Sequence, residues 1–356
     1  MDILFQCNTV YQIMVASQIK ATFFKRDICD LIVSDRMNDA ERIANSLKKC
    51  SLFNTVFFQT ARNNNLKTLQ KILFVLNKNN LSKLGFGRFD FTKKYDLFLF
   101  SNPYFENLVL YKNLLKNNPF CELSFFEDGI STYSKYYEKE YCLAAKGIKG
   151  FLMKRNVMKK AKGIYTFSPE FYEWRELSLM KIPSLKTMDK KVLGALNDAF
   201  GYKEDVLPPD CRTIFFEESY FGDGKEIGDE KIIRKCIEYF GSKGFYLKNH
   251  PRNLKNRFLN SSIKTLQSMS IPWELIVANN IERIEKINLV TITSQTIFTP
   301  TILFDLKPSC FFCINAVEDK TVLYPYVSDV MVKIARNCDN YKWMNKEGVF
   351  VDHDFA

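Results

Sequence analysis

The 356-residue sequence has little glycine, proline or histidine, and it has no long apolar run. With only 14 glycines and 11 prolines, against 46% hydrophobic and 15% aromatic residues, the composition is that of a folded chain and excludes a largely disordered one. No apolar segment approaches the ~18 to 20 residues that a membrane span needs. We therefore expect a folded protein without transmembrane helices. At this length two domains of ordinary size are expected.

Two glycine-rich nucleotide-binding motifs are also missing. No Walker A loop and no GxGxxG sequence lies between a predicted strand and a predicted helix. The sequence Gly85-Phe86-Gly87 lacks the third glycine and follows no convincing strand. It is therefore not interpreted as a phosphate-binding loop.

Ten cysteines are present, but they have no regular spacing, and several fall within apolar strand-like runs, as Cys29 and Cys121 do. This pattern predicts reduced thiols in a cytosolic protein rather than a disulfide framework. Cys310 and Cys313 have CxxC spacing without a second ligand pair, so we expect no metal there. The N-terminus lacks the basic region of a signal peptide. We expect a cytoplasmic protein, in a position to lie against the inner face of the membrane.

Positive charge is in excess, with a formal net charge of +11. Such a surface favours anionic partners, which include nucleic acids, phosphorylated small molecules and anionic membranes. Basic residues concentrate between positions 145 and 163, interleaved with apolar ones. This stretch fits a solvated helix or an amphipathic segment on an anionic leaflet, and no nucleic-acid module surrounds it. Its basic residues are Lys146, Lys149, Lys154, Arg155, Lys159, Lys160 and Lys162.

Short apolar runs alternate with helical patterns along the chain. In the first half, the runs are 3–6, 31–34, 55–58, 97–100, 121–126 and 163–168, and in the second half they are 213–216, 245–247 and 289–294. Nearly continuous apolar strands separated by helices indicate parallel sheets that are covered on both faces. The sequence therefore predicts an α/β protein with two Rossmann-like domains. We expect residues 1–168 to form the first domain, 169–209 a connector, 210–340 the second domain and 341–356 a tail.

An acid pair and a glycine follow the fifth predicted strand, at Glu127, Asp128 and Gly129. Ligands of open α/β sheets bind just past the carboxyl ends of strands. Because neighbouring side chains of an extended chain point in opposite directions, one carboxylate can face a ligand while the protein holds the other. A carboxylate there can act as a general base, although the same tripeptide is common in ordinary turns.

His250 is one of two histidines, and it follows a predicted strand in the second half. Lys248 and Arg252 flank it, and Pro251 ends the strand. Such a cluster suits a phosphate, with imidazole donating a proton or hydrogen bond and the cations binding oxygens. The alternative is a histidine that only satisfies a strand end. The other histidine, His353, lies in the polar tail and is given no role.

Polar residues also mark two predicted helix starts in the second half. Thr293, Ser294 and Thr296 stand where backbone N–H groups and hydroxyls could bind an anion, or where a hydroxyl merely caps the helix. Pro272 favours a first helical turn through residues 273–276. Glu274 within it could bind a ribose diol or simply interact with the helix dipole.

The order of these motifs resembles that of the bacterial sialyltransferases, most closely glycosyltransferase family 52. The motifs are acid-acid-Gly, then Lys-x-His-Pro, Pro-x-Glu and a pair of hydroxyl residues. Residues 7–12 also resemble that family's opening, a strand followed by Cys-x-Thr-x-x-Gln, here with Asn8 and Thr9 in the turn. The chain departs from the family pattern in one place, because Thr293 precedes Ser294 where two serines are usual.

The resemblance implies a GT-B fold, with two Rossmann-like domains facing across a cleft. It implies inverting transfer of sialic acid from CMP-sialic acid to a galactose-type hydroxyl of a lipooligosaccharide or capsule glycan. The donor would be held mostly by the C-terminal domain and the acceptor by the N-terminal one. No metal is expected, because the leaving group carries one phosphate and cationic residues are available. Alternatives are a GT-B transferase for another nucleotide sugar, such as a UDP-hexose, and an inactive nucleotide-binding protein. A lipid-linked acceptor and a homodimer are also compatible.

The resemblance also implies roles for single residues. Asp128 would be the base, with Glu127 beside it, and Asp223 or Asp229 could take that place instead. His250 would stabilise the departing phosphate. Glu274 would bind the ribose. The remaining expected substrate-binding residues are Asn8, Thr9, Gly129, Lys248, Pro251, Arg252, Thr293 and Ser294.

Overall fold

A computed structural model describes residues 1–61, 66–76, 81–134, 160–172, 177–253, 256–258, 261–266, 271–323, 331–345 and 347–352. The chain divides into two compact units. Unit 1 consists of Met1–Pro183 and Thr187–Phe200, and unit 2 consists of Ser184–Lys186 and Gly201–Ala356. The change from one unit to the other thus lies near residue 200, inside the segment expected to be a connector.

Unit 1 is built on a parallel sheet with the strand order β3-β2-β1-β4-β5-β6-β7. The strands are β1 (Asp2–Cys7), β2 (Ile28–Ser34), β3 (Thr55–Gln59), β4 (Leu97–Phe100), β5 (Glu122–Phe126), β6 (Ala161–Thr166) and β7 (Ser178–Lys181). The described helices are α1 (Val10–Phe23), α2 (Ala40–Lys49), α3 (Thr68–Val75), α4 (Phe105–Asn117) and α5 (Lys190–Phe200). Strand β4 is buried along its whole length, as a central strand covered on both faces must be.

Unit 2 repeats this arrangement with the strand order β10-β9-β8-β11-β12-β13-β14. The strands are β8 (Thr213–Phe216), β9 (Phe245–Lys248), β10 (Lys264–Thr265), β11 (Asn288–Thr291), β12 (Cys310–Phe312), β13 (Tyr341–Met344) and β14 (Phe350–Asp352). The described helices are α6 (Asp229–Phe240), α7 (Trp273–Asn279), α8 (Ile281–Ile284) and α9 (Thr299–Phe304). All described strand pairs of unit 2 are parallel except β13 with β14.

Each sheet therefore has a point where the strand order reverses. Strand β1 has β2 on one side and β4 on the other, and β8 lies in the same way between β9 and β11. In unit 1 the chain runs from β1 to β2 on one side and from β4 to β5 on the other, and in unit 2 it runs from β8 to β9 and from β11 to β12 in the same way. In open α/β sheets, ligands bind at the carboxyl ends of strands at such a point. Polar residues at these strand ends are therefore the candidates for a functional site.

The prediction of two parallel α/β sheets is confirmed, and every apolar run named above overlaps a strand. Several strands were not predicted. Strand β7 is an edge strand with Leu179 exposed, so it lacks a buried-strand pattern. Strands β13 and β14 lie in the segment expected to be a tail, where Trp343 and Met344 are buried. None of the helices in the described ranges combines the length and apolar character that a bilayer span requires.

The basic stretch is described only at its end. Positions 145–159 and His353 lie outside the described residues. Lys162 belongs to β6 and forms an exposed ion pair with Glu122 of β5, with 3.1 Å between Nζ and Oε1. An exposed pair of this kind contributes little to stability.

Two glycines allow a matched test of the packing in unit 1. A Cβ atom on Gly163 of β6 would lie 2.3 Å from the backbone oxygen of Ser178 on β7, whereas one on Gly194 of α5 would meet no atom within 4 Å. We expect Gly163→Ala to lower the free energy of unfolding by about 1–3 kcal/mol through overpacking. Gly194→Ala should raise it by about 0.5–1 kcal/mol, because alanine is the better helix former. Urea denaturation followed by circular dichroism measures both, and equal stability of the two variants would contradict the pairing of β6 with β7.

Candidate functional site

Asp128 lies at the reversal point of the unit 1 sheet, although it follows β5. Two side chains from other strand ends bind its carboxylate. Asn102, after β4, donates from Nδ2 to Oδ2 at 2.7 Å. Thr9, after β1, donates from Oγ1 to Oδ1 at 3.3 Å. The ends of three neighbouring strands therefore converge on this carboxylate.

The environment of Asp128 suits a proton acceptor. Its residue is partly buried, and burial raises the pKa of the carboxyl group, while hydrogen bonds led by that from Asn102 oppose the rise. In its ionised form, a carboxylate with a raised pKa is a stronger base than an ordinary one. The arrangement can thus accept a proton from a hydroxyl group of a substrate.

The backbone that carries Asp128 is held by the turn that follows it. The N–H of Asp128 donates to Thr132 Oγ1 at 2.8 Å, and its carbonyl oxygen accepts from Ser131 Oγ at 3.1 Å. Gly129 has φ +71° and ψ −170°, a conformation essentially limited to glycine. The glycine of the predicted motif is therefore required by the turn.

Glu127 is fully buried and serves the scaffold. It accepts hydrogen bonds from the hydroxyl groups of Tyr11 and Tyr133, from Thr166 Oγ1 at 2.8 Å and from the N–H of Phe167 at 2.9 Å. Burial raises the pKa of its carboxyl group, and these four hydrogen bonds oppose the rise. The acid pair is thus divided as the alternation of an extended chain predicts, with Glu127 inside the protein and Asp128 at the strand end.

A network of buried amide side chains supports the Asn102 loop. Asn107 Nδ2 donates to the carbonyl oxygen of Asn102 at 2.9 Å and to Gln6 Oε1 at 3.0 Å. Gln6 in turn donates to Asn8 Oδ1 at 3.1 Å and to Gln59 Oε1 at 3.0 Å. Asn8 therefore belongs to the scaffold beneath the site. The sequence carried a signal for this network, because Gln6 and Gln59 interrupt strands that are otherwise largely apolar.

A second acid pair follows β8 in unit 2, and it was not predicted. Glu217 accepts from the backbone N–H of His250 at 3.1 Å, beside the end of β9. Glu218 accepts from Thr291 Oγ1 at 2.8 Å and from the N–H of Thr293 at 2.7 Å, at the end of β11. One carboxylate thus reaches each neighbouring strand, and together they span the reversal point. The sequence did carry a signal for this second pair, because Glu217 and Glu218 follow an apolar run directly, as Glu127 and Asp128 do.

Arg257 neutralises the first of these acids. Its Nε and Nη2 atoms donate to Glu217 Oε1 at 3.0 and 2.8 Å. The same guanidinium group forms two further hydrogen bonds with Asp229 at the start of α6. The side chain of Glu217 has no exposed surface, so this charge depends on its partner.

His250 has a defined tautomer in this arrangement. Its Nδ1 atom accepts a hydrogen bond from the N–H of Arg252 at 3.1 Å, so the ring proton of the neutral form is on Nε2. Burial lowers the pKa of His250 to about 4, with Arg252 and Lys248 adding to the decrease and Asp223 opposing it. The neutral ring is therefore a hydrogen-bond donor through Nε2.

Lys248 is buried and Glu274 is partly buried, and the charge of each affects the pKa of the other. Burial lowers the pKa of Lys248 to about 8, and the charge of Glu274 opposes the decrease. Burial likewise raises the pKa of Glu274, opposed by a backbone hydrogen bond and by Lys248. Lys248 Nζ also donates to the carbonyl oxygen of Ile271 at 3.4 Å. Glu274 lies in the first turn of α7, where the helix was predicted.

The hydroxyl residues after β11 are engaged within the protein. The N–H of Thr293 binds Glu218, and that of Ser294 donates to Thr291 Oγ1 at 3.0 Å. Ser294 Oγ donates to Thr296 Oγ1 at 3.1 Å. A 3-10 turn, Gln295–Phe298, follows in place of the expected start of an α-helix. Binding of phosphate by Thr293 and Ser294 stays a prediction.

The two other aspartates considered as bases have different partners. Asp223 accepts from Ser219 Oγ at 3.0 Å and from Arg252 Nη1 at 3.5 Å. Both carboxylate oxygens of Asp229 contact Arg257. Of the three aspartates, Asp128 is bound only by neutral side chains among the hydrogen bonds that the structure shows. We therefore keep Asp128 as the first candidate.

Comparison with known families identifies the chain. The model of the family described as alpha-2,8-polysialyltransferase (POLYST) matches residues 3–309, which include both strand-end clusters. The chain belongs to the alpha-2,8-polysialyltransferase family. This is a bacterial sialyltransferase family, so the predicted resemblance to bacterial sialyltransferases is confirmed. A sequence search of curated proteins finds no match.

Solved structures show the same fold for this polysialyltransferase-family chain. UGT89C1 of Arabidopsis thaliana complexed with UDP-L-rhamnose aligns with a TM-score of 0.53 at 11% identity, over 99% of this chain and 86% of that one. The spinosyn rhamnosyltransferase SpnG complexed with thymidine diphosphate gives 0.52 at 9% identity, over 98% and 87%. The UDP-GlcNAc 2-epimerase of Methanocaldococcus jannaschii gives 0.50 at 12% identity, over 99% and 94%. The GT-B fold is confirmed, and with the family match the chain is a glycosyltransferase.

The Arg257 ion pair provides a stability test of the unit 2 site. Arg257→Ala leaves the buried carboxylate of Glu217 without its countercharge, so we expect a loss of about 3–5 kcal/mol in the free energy of unfolding. Arg234→Ala is the matched control, because Arg234 pairs with Glu230 at 2.7 Å on the exposed face of α6 and should contribute at most about 1 kcal/mol. Chemical denaturation measures both. Similar losses in the two variants would contradict the burial of Glu217.

Proposed function

We propose that this polysialyltransferase-family chain transfers sialic acid, with inversion, from CMP-sialic acid to a hydroxyl group of a bacterial surface glycan such as lipooligosaccharide or capsule. The observation that carries the proposal is the family match across the residues of both strand-end clusters. The clusters supply the two kinds of group that the reaction needs. Unit 1 offers a carboxylate base, and unit 2 offers donors and cations for a phosphate.

The base in this proposal is Asp128. In the reaction, the bond between the anomeric carbon of sialic acid and the phosphate oxygen of CMP breaks, and a bond from the acceptor oxygen to that carbon forms. Asp128 takes the proton of the acceptor hydroxyl as this bond forms. Its raised pKa and its fixed orientation between Asn102 and Thr9 favour that transfer.

Residues of unit 2 stabilise the leaving group. The Nε2 proton of His250 can donate to the departing phosphate, whose negative charge grows as the bond breaks. Binding an anion there also favours the protonated ring, and this offsets the effect of burial on the pKa. Lys248 and Arg252 supply positive charge beside it, and Glu274 is assigned to the ribose diol. Because CMP carries a single phosphate, these groups can balance its charge without a metal ion.

The acceptor has two candidates. The resemblance based on the order of the motifs implies a galactose-type hydroxyl as the acceptor. The description of the matched family favours a second candidate, the 8-hydroxyl of a sialic acid that is already attached to the glycan. The net charge of +11 suits such an anionic acceptor. On the basis of the sequence, we also propose that the acceptor is lipid-linked and that the basic stretch contacts the inner membrane. We further propose that the protein forms a homodimer.

The donor is tested by ligand-dependent stability. In EDTA, CMP should raise the apparent melting temperature, because a ligand that binds only the folded state stabilises that state. At a CMP concentration one hundred times Kd, the free energy of unfolding should rise by about 2.7 kcal/mol. UDP and GDP serve as controls and should give smaller shifts. A shift with UDP alone would contradict the CMP-sugar donor and favour a UDP-hexose, and a CMP shift that needs a divalent metal would contradict metal independence.

The proposed roles are tested by transfer assays with CMP-sialic acid. Asp128→Asn should lower kcat by about 10²- to 10⁴-fold, the usual contribution of a general base. His250→Ala should lower it by about 10²- to 10³-fold through loss of a donor to the leaving group. Asp90→Asn is the control, because Asp90 is exposed and its carboxylate bonds with Thr92.

The acceptors in the same assay are a galactose-terminated and a sialic-acid-terminated oligosaccharide. Transfer to the second alone would support the α-2,8 candidate, and transfer to the first would support the galactose-type one. Near-normal transfer by either the Asp128 or the His250 variant would remove that residue from the mechanism. CMP binding without transfer to either acceptor would favour the inactive nucleotide-binding alternative.

A further inference from the structure

Asn102 and Thr9 donate hydrogen bonds of different length to the Asp128 carboxylate. Asn102 Nδ2 lies 2.7 Å from Oδ2, within the range of a charge-assisted hydrogen bond, whereas Thr9 Oγ1 lies 3.3 Å from Oδ1. Thr9 Oγ1 also accepts a hydrogen bond from the N–H of Gln12 at 3.2 Å, as the N-cap of α1. Asn102 therefore makes the shorter of these two contacts with Asp128.

Asn102 is itself held in place. Its carbonyl oxygen accepts from the N–H of Tyr104 at 2.8 Å and from Asn107 Nδ2 at 2.9 Å. Asn107 is buried on α4 and is bound to Gln6 of β1. Because an ionised carboxylate only accepts hydrogen bonds, the amide must present its NH2 group to Asp128. The two bonds to its backbone carbonyl oxygen thus hold the backbone of Asn102, and the contact with Asp128 defines which way its side-chain amide faces.

We propose that Asn102 is a positioning residue that orients the carboxylate of Asp128 toward the acceptor hydroxyl. This inference rests on the proposed role of Asp128 as the base. The buried amide network fixes the loop after β4, the loop fixes Asn102, and Asn102 fixes Oδ2. A general base must be positioned to within a fraction of an ångström, so that its oxygen is aligned with the O–H group from which it takes the proton.

The other titratable groups around Asp128 have partners of their own or are neutral. Cys7 of β1 is buried, and burial, aided by the charge of Asp128, raises the pKa of its thiol well above the usual value. Glu127 of β5 is bound by Tyr11 and Tyr133. Glu106, in the first turn of α4, forms an ion pair with Arg36 at 2.9 Å. A change at Asn102 should therefore act on Asp128 through the lost hydrogen bond.

The test compares Asn102→Ala, Asn102→Asp and a matched control. Without the amide the carboxylate loses stabilisation of its charged form, so its pKa rises and the acidic limb of the kcat/KM profile moves to higher pH. We expect a shift of about one pH unit for Asn102→Ala. A larger shift is expected for Asn102→Asp, which places a second carboxylate against the first. On the plateau, kcat should fall by about tenfold while KM for the donor stays unchanged.

Asn113→Ala is the control, because Asn113 lies on the same helix α4 and its amide donates to the carbonyl oxygen of Val109 at 2.8 Å, away from Asp128. Its profile should match that of the wild type. A second readout needs no activity. Titration of the ¹³C-labelled aspartate carboxyl signals, with the Asp128 signal assigned by its absence from Asp128→Asn, gives the pKa of this group in each variant.

The outcomes separate this inference from the proposed function. An unchanged acidic limb and an unchanged Asp128 titration in folded Asn102→Ala and Asn102→Asp would overturn the inference. Full activity of Asp128→Asn would overturn the role of the base, and the role of Asn102 in catalysis with it, while the carboxyl titration would still report whether the contact exists. If Asn102→Ala does not fold, the nearly isosteric Asn102→Asp carries both readouts.

Discussion

Buried carboxylates at the ends of parallel strands are the constraint on which the rest of this structure depends. A carboxylate taken out of water is stable only if several donors or a cation satisfy it. Glu127 meets this need with four hydrogen bonds, Glu218 with groups at the end of β11, and Glu217 with Arg257 and the start of the His250 loop. Because the donors belong to neighbouring strands, satisfying each charge also joins the strand ends that bear the functional residues.

The same arrangement separates structural from reactive groups. Adjacent acids on an extended chain face different surroundings, so Glu127 is enclosed while Asp128 lies at the strand end with two neutral donors. In unit 2 both acids are enclosed, and the residues that can meet a ligand are those that they hold, above all His250 with its Nε2 proton. The buried acids of the scaffold are bound by groups within the protein. The residues proposed for catalysis have atoms that a substrate can contact.

The GT-B fold and the family together show a glycosyltransferase, but a fold by itself does not choose the sugar. The solved structures that share this fold include a complex with UDP-L-rhamnose, a complex with thymidine diphosphate and an epimerase of UDP-GlcNAc. The CMP-linked donor is therefore proposed from the family match and not from the fold. A neutral imidazole donor beside a lysine and an arginine suits a single phosphate, which supports that proposal.

The sequence by itself determined the two parallel sheets, the acid pair after β5, the histidine after β9 and the resemblance to sialyltransferases. These are local signals, because an apolar run, a turn glycine or a short motif is carried by adjacent residues. Strands β7, β10, β13 and β14 were not predicted, since an edge strand or a short strand near the chain end has no continuous apolar run. The sequence pattern also favoured a helix start after Ser294, where the structure has a 3-10 turn.

Only the tertiary structure decided that Glu127 is the buried acid of the first pair, that Glu217 and Glu218 are both buried, and which partners these acids have. Asn102 is 26 residues from Asp128, and Arg257 is 40 residues from Glu217. Nothing in the local pattern of a sequence shows that such residues meet, because strand order in a parallel sheet, and not distance along the chain, brings strand ends together. Hydrogen-bond partners, tautomers and pKa shifts follow from that order, and for this reason they could be read only from the folded chain.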